Sequence, residues 1–277
     1  MKQVFENGLH KISNDEYHAS EGISRSMLMS FNRSARHYWY DHVSGLKQKS
    51  APTTAMKIGS AVHTLVLEPH LFDVEFFITT QQSKPKKDTN PYYKMMDEAN
   101  GRIILTPDEF QLSQSMSVSV CGSDDANLLL SNCNIEHSIY FTHETTGIQC
   151  KVRPDAWSGS LVCDLKTIDD AGMRAFQNSA VYYGYFLQAG MNYCALKSLG
   201  ITMEKFAFIV VEKVAPYATA IYILTDEALD YGVNQFNDLM RRVAECHRHN
   251  IWPSYGIMDC NLPNYLKFDA LKEFDNE

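Results

Sequence analysis

Apolar residues recur at helical spacing through roughly the first 130 positions, alternate with polar ones from Ile135, and then switch between the two periods twice more. In the first part, Ser24 or Ser26 can cap a helix over SMLMSFNRSARHYWYDH, with Gly45 soon after its end. MKIGSAVHTLVLEP predicts a buried helix of about three turns that Pro69 helps to end. The stretch QQSKPKKDTNPYYK, with two prolines and clustered lysines, predicts a loop, and a helix follows over 107–130.

From Ile135 the segments EHSIYFTH, GIQCKVRPDAW and LVCDLKTI predict an antiparallel meander, with Gly147 and Ser158-Gly159-Ser160 at its turns. A helix starting near Met173, interrupted or restarted near Ser179, runs to Gly200. KFAFIVVEK is almost wholly apolar and should be a central strand, YATAIYILT is a second, and a long helix spans 226–249. Helices before, between and after strands predict an α/β fold.

At 277 residues and 45% hydrophobic, the chain can fill one large core, read here as a single domain over 1–277. Its parts are a helical N-terminal portion (about 1–130), an overlapping core (about 55–225) and a C-terminal helix with an arm (about 226–277). No apolar run reaches the roughly 18 residues that span a bilayer, and the opening lacks the apolar centre of a secretory signal, so a cytoplasmic protein is expected. Seven cysteines without a CxxC pair read as reduced thiols. The net charge of −8 argues against a uniformly basic surface but leaves room for a local basic channel. Arg25, Arg33, Arg36 and His37 lie among Phe31, Tyr38, Trp39 and Tyr40, a mixture that can hold phosphates and stack bases. A helix with aromatics inward and arginines outward has the same pattern and is the preferred reading. The lysines of the 81–94 loop are likewise read as solvated.

The chemistry is concentrated in CKVRPDAWSGSLVCDLKT, residues 150–167. If Gly159-Ser160 forms a two-residue type II′ turn, Ser158 faces Leu161, and extending the pairing places Asp155 opposite Asp164. Carboxylates in that relation, with Cβ atoms about 5 Å apart, repel unless a cation lies between them. Lys166, two residues beyond Asp164, returns to the same face. Apolar neighbours of both parities, Leu161 to Cys163 and Leu165, indicate a strand buried on both sides, where an idle surface salt bridge would be costly.

Pro154-Asp155 followed after eight residues by Asp164-Leu165-Lys166 resembles the PD-(D/E)xK signature of restriction-endonuclease-like nucleases. The ordered segments ISNDEYH, ISRSML, MKIGSAVHTLVLEP, VRPDAW, DLKT and GYFLQAGMNY are similar to the exonuclease VIII (RecE-type) group of phage and prophage recombination nucleases, over roughly 10–225. That resemblance implies a restriction-endonuclease-like core, a mixed central sheet flanked by helices. It implies His63, Asp155, Asp164 and the Leu165 carbonyl as ligands of Mg²⁺, with Mn²⁺ able to substitute, and Lys166 as the catalytic lysine beside Asp155 and Asp164. Thr167, Tyr185 and Gln188 would contact DNA. Glu68 and Glu136 could each serve the site or the fold, and Asn192 stands where the group commonly has a tyrosine, leaving Tyr193 without an assigned role.

By the same resemblance the activity is 5′-to-3′ digestion of linear double-stranded DNA to leave 3′ single-stranded tails for recombination. A ring-shaped homo-oligomer and a single-strand annealing partner are implied with it. Two other readings stand beside it: an endonuclease or DNA end-trimming nuclease on the same core, and a non-catalytic DNA-binding protein that keeps the fold. Digestion of linear but not closed circular DNA separates the first, and retention of Asp155, Asp164 and Lys166 speaks against the second.

Overall fold

The computed structural model describes residues 3–48 and 51–262. The N-terminal segment forms β1 (Gly8–His10) and α1 (Asn14–Ala19), the latter opened by a reciprocal cap between Ser13 and Glu16. The helix expected over 26–42 is divided into α2 (Arg25–Arg33), α3 (Ala35–Tyr38) and a π-turn over Trp39–Val43. Ser34 causes the first division: its backbone is extended, and its hydroxyl caps α3 by accepting from the His37 amide. Phe31 and Tyr38 are buried, and Tyr38 stacks on Trp252, so these two serve the core as the packing reading required, whereas Tyr40 is 48% exposed and Arg36 lies over the Trp39 ring.

Next comes α4 (Thr54–Leu67), capped by Thr53 and followed by a 3₁₀ turn over Pro69–Leu71. Then α5 (Phe72–Glu75) and β2 (Phe76–Ile78) lead to α6 (Asn90–Ala99), β3 (Ile103–Leu105), α7 (Pro107–Cys121) and α8 (Asp124–Leu130). Two expectations change here. The proline of NPYYK falls in the first turn of α6, where its missing N–H costs nothing, so the predicted loop ends at Thr89. The helix expected over 107–130 breaks at Gly122, and Ser123 caps α8.

The chain continues through β4 (Asn134–Ile135), β5 (Ser138–Thr142), β6 (Gln149–Val152), β7 (Ala156–Ser158) and β8 (Leu161–Ile168). It ends with α9 (Met173–Tyr183), α10 (Tyr185–Ser198), β9 (Lys205–Glu212), β10 (Thr219–Ile223) and α11 (Asp226–His249). The predicted meander is not one sheet. GIQCKVRPDAW divides at Arg153-Pro154: β6 joins the sheet β1-β5-β6, while β7 joins the five-stranded sheet β10-β9-β8-β7-β4. Pro154 has no N–H to offer a ladder, and the Arg153 guanidinium is drawn aside to Ser138 Oγ and the Ile12 carbonyl.

The five-stranded sheet is mixed: β8 and β9 run parallel, and the other neighbours are antiparallel. β9 lies between β8 and β10, as its apolar sequence required. One face of the sheet meets α2, α9, α10 and α11 through Val162, Phe206, Phe208 and Val210. The other meets α4 and α7 through Cys163, Leu165, Ala207 and Ile209. The break between α9 and α10 is at Gly184, whose φ of +69° ends one helix and starts the next, rather than near Ser179. α10 approaches α11 closely, because a Cβ on Gly190 would lie 2.2 Å from the Gly232 carbonyl carbon. After α11, residues 251–262 carry no helix or strand, and the rest of the predicted C-terminal arm lies outside the described residues. Among those described, no helix is long and apolar enough to cross a membrane.

Candidate active site

The β7–β8 hairpin has the predicted register: Ser158 faces Leu161 and Ala156 faces Cys163. Gly159 has a φ of +53°, and Ser160 has no positive φ, the sign pattern of a type II′ turn. Asp155 therefore stands one step before β7, across from Asp164 on β8.

Two linked networks meet there. In the first, one Asp155 oxygen accepts the Leu165 amide at 2.8 Å and faces His63 Nε2 at 3.0 Å. His63 comes from the third turn of α4, and its Nδ1 is 2.9 Å from the Gly59 carbonyl, which fixes the ring. Burial disfavours charge on this imidazole, but the charge and hydrogen bond of Asp155 outweigh it and raise its pKa to about 9. Burial likewise opposes the Asp155 carboxylate, and His63, Lys166 and the Leu165 amide reverse the balance, leaving its pKa lowered.

In the second network, Asp164 is only 1% exposed and is contacted by the Lys166 ammonium on one oxygen and the Gln188 amide on the other. Burial, then the nearby Asp155 charge, raise its pKa despite Lys166. Lys166 also lies over the Tyr185 ring, 5.3 Å from its centroid. Gln188 and Tyr185 share the face of α10 that meets β8. The Gln188 side-chain oxygen Oε1 accepts from Arg25 Nη1 at 3.3 Å, and the same nitrogen donates to the Tyr183 backbone carbonyl at 3.0 Å. Arg25 is thus joined to the site from α2, a link that its sequence setting among aromatics did not reveal.

The remaining candidates divide. Glu136 reaches the site's edge: its amide donates to the Asp155 carbonyl, a φ of +51° turns its backbone, and burial followed by the Asp155 charge raises its pKa to about 8. Glu68 instead pairs with Lys11 at 2.9 Å. Thr167 lies on the opposite face of β8 from Asp164 and Lys166, its Oγ1 3.8 Å from the place a Gly59 Cβ would occupy. Asn192 is buried and donates to the Gln188 carbonyl, while Tyr193 packs on the core. At Leu165 the amide serves Asp155, and the side chain is buried against the α4–α7 layer.

Among the described residues, no three His, Cys, Asp or Glu side chains are already grouped to hold a metal ion. His63 pairs with Asp155, and Lys166 with Asp164. The donors nevertheless fit a divalent ion. Asp164 Oδ2 is shut off from solvent and, although Lys166 lies against it, has no aligned hydrogen bond. The buried Asp164 and the half-buried Glu136 each crowd Asp155, itself half-buried, electrostatically, and oxygen ligands with one imidazole suit Mg²⁺ or Mn²⁺.

Comparison with known proteins bears on the family and the fold. The model of the family described as “PDDEXK-like domain of unknown function (DUF3799)” matches residues 24–267, most of the chain, and the protein belongs to that family. Its α/β architecture is accordingly the restriction-endonuclease-like nuclease fold. Among solved structures, a crystal structure from Eubacterium rectale described as a “putative exonuclease” is similar with a TM-score of 0.65 at 15% identity, covering 94% of this chain and 99% of that one. At that identity the likeness concerns the fold. A second structure, described as SSO0001, has 14% identity over 78% of this chain and 86% of its own, with a TM-score of 0.29, and is given no weight. No curated protein matches the sequence.

Proposed function

We propose that the protein is a Mg²⁺-dependent exodeoxyribonuclease that hydrolyses phosphodiester bonds from the ends of linear double-stranded DNA. The observation that carries this reading is the meeting of Asp155, Asp164 and Lys166 with His63 from α4 and Gln188 from α10. His63, Asp155 and Asp164 would hold the ion, with the Leu165 backbone beside them and Mn²⁺ as a substitute. When bound, the ion supplies positive charge to the phosphoryl group under attack.

The chain's own groups do the remaining work. Lys166 is braced by Asp164 and the Tyr185 ring, so its ammonium is held where charge develops on a phosphate oxygen or where an attacking water must be oriented. Gln188 fixes the Asp164 carboxylate, and Leu165 N–H fixes that of Asp155. Digestion from 5′ to 3′, 3′ tails for phage-type recombination, a ring-shaped homo-oligomer, a single-strand annealing partner and a cytoplasmic setting complete the proposal, on the strength of the RecE-type resemblance.

The test is incubation of matched linear and covalently closed DNA with Mg²⁺ or Mn²⁺, using wild type, Asp164→Asn and Lys166→Ala. Loss of linear DNA alone, reduced on the order of 10³-fold or more by either substitution, is expected. Cleavage of the closed form would make the protein an endonuclease. If wild type leaves both forms intact with either ion, the catalytic reading falls.

A further inference from the structure

We infer that Tyr182 and Tyr183 form a stacking platform for unpaired nucleobases at the mouth of the site, a reading that rests on the nuclease proposal. Val181, Tyr182 and Tyr183 end α9 with three consecutive large side chains turned to solvent, and the two tyrosines are 77% and 54% exposed. Among the described residues nothing covers the outward faces of these adjacent aromatics, so their placement calls for an external partner.

The rings also connect to the chemistry. Tyr182 meets Tyr183 edge to face with centroids 4.8 Å apart, and Tyr183 lies nearly parallel to Tyr185, interplanar angle 21°, at 6.0 Å. Tyr185 is the buried ring beneath Lys166. An aromatic series thus runs outward from the site lysine to solvent. Arg25 adds the complementary charge, since its guanidinium is held on the Tyr183 carbonyl as well as on Gln188.

This pairing of features selects the occupant. Exposed rings beside an arginine and a lysine match a single strand, whose bases offer flat faces and whose phosphates need cations. A second copy of this chain, which could also cover the rings, is separated from a nucleic-acid strand by the measurement of molecular mass below. Because the rings stand next to the groups assigned to hydrolysis, the strand held there is the one entering or leaving the site, and the platform would favour a frayed DNA end over a fully paired one. Stacking is indifferent to base identity, as an enzyme that digests any sequence requires.

The experiment is equilibrium binding of a fluorescein-labelled single-stranded oligonucleotide in EDTA, beside an abasic oligonucleotide of the same length and charge. Wild type should bind the base-containing strand more tightly. The double substitution Tyr182→Ala with Tyr183→Ala should weaken that binding about tenfold and leave abasic binding unchanged, whereas Tyr183→Phe should retain it. Equal binding of both strands by wild type, no binding of either, or an unchanged preference in the double variant would overturn the platform. So would a change of molecular mass in the double variant, by light scattering, with base preference intact, since the face would then join copies of the chain. Digestion of linear DNA by wild type tests the nuclease reading separately, so an active enzyme without base preference would overturn the platform alone.

Discussion

Arg25 and Asp164 hold opposite ends of one amide: the Gln188 oxygen accepts from Arg25, and its nitrogen donates to Asp164. An amide with both ends engaged has a single orientation, and it presents only donors to the carboxylate. Arg25→Ala and Gln188→Ala should each lower kcat on the order of 10²-fold, the scale of misplacing a catalytic group. The double variant should be scarcely worse than either single one, because both remove the same constraint. A product of the two effects would mean that Arg25 works independently of Gln188.

Metal binding should be visible without turnover. If His63, Asp155 and Asp164 form the site, Mn²⁺ at about 100 times its dissociation constant should raise the thermal midpoint by about 5 °C over the protein in EDTA. Asp164→Asn should remove most of that rise. An equal rise in the variant would place the ion elsewhere.

The contact of α10 with α11 controls where Gln188 and Tyr185 lie. A Cβ on Gly190 would come within 2.2 Å of Gly232 backbone, and one on Gly232 within 2.0 Å of the Phe186 oxygen. Gly190→Ala should therefore cost about 3 kcal/mol in urea unfolding, as overpacking against an unyielding backbone does. Gly256→Ala, with open space around it, should be silent in the same measurement.

Acid should act on a second pair that positions α4. Lys57 is buried in the first turn of that helix and meets Glu109 at 3.0 Å, and Glu109 also caps the Thr106 amide at the start of α7. Burial opposes the Glu109 charge, but the Thr106 amide, Lys57 and Lys84 prevail and lower its pKa below the ordinary 4.5. A folded pKa below the unfolded one gives stability that is present above about pH 4.5 and is lost as pH falls through the folded value. Glu109→Gln should cost about 3 kcal/mol at pH 7, and the difference from wild type should shrink below pH 4.5. A difference independent of pH would assign the cost to packing.

What the sequence by itself determined is mostly local. The Gly159-Ser160 turn and the two-residue period of a strand were enough to set the β7–β8 register and the shared face of Asp164 and Lys166, because both depend on neighbouring backbone geometry. The apolar runs of β8 and β9 announced their central positions for the same reason: both of their faces are covered. His63, Tyr185 and Gln188 were legible through the family resemblance, but no spacing along the chain says that α4 and α10 bring them to the same strand.

Tertiary structure decided the rest. Periodicity records which side of an element is apolar, not which element covers it, so the departure of β6 into another sheet had to come from Arg153 being drawn to Ser138 and Ile12. The same limit hid Arg25, whose link to Gln188 exists only because α2 packs near α10, and it hid the exposed ladder of Tyr182 and Tyr183. Gly190 and Gly232 are 42 residues apart, and only their close approach reveals why neither can carry a side chain. The candidate site groups thus take their facing directions from local backbone geometry and their partners from long-range packing, which no local rule encodes.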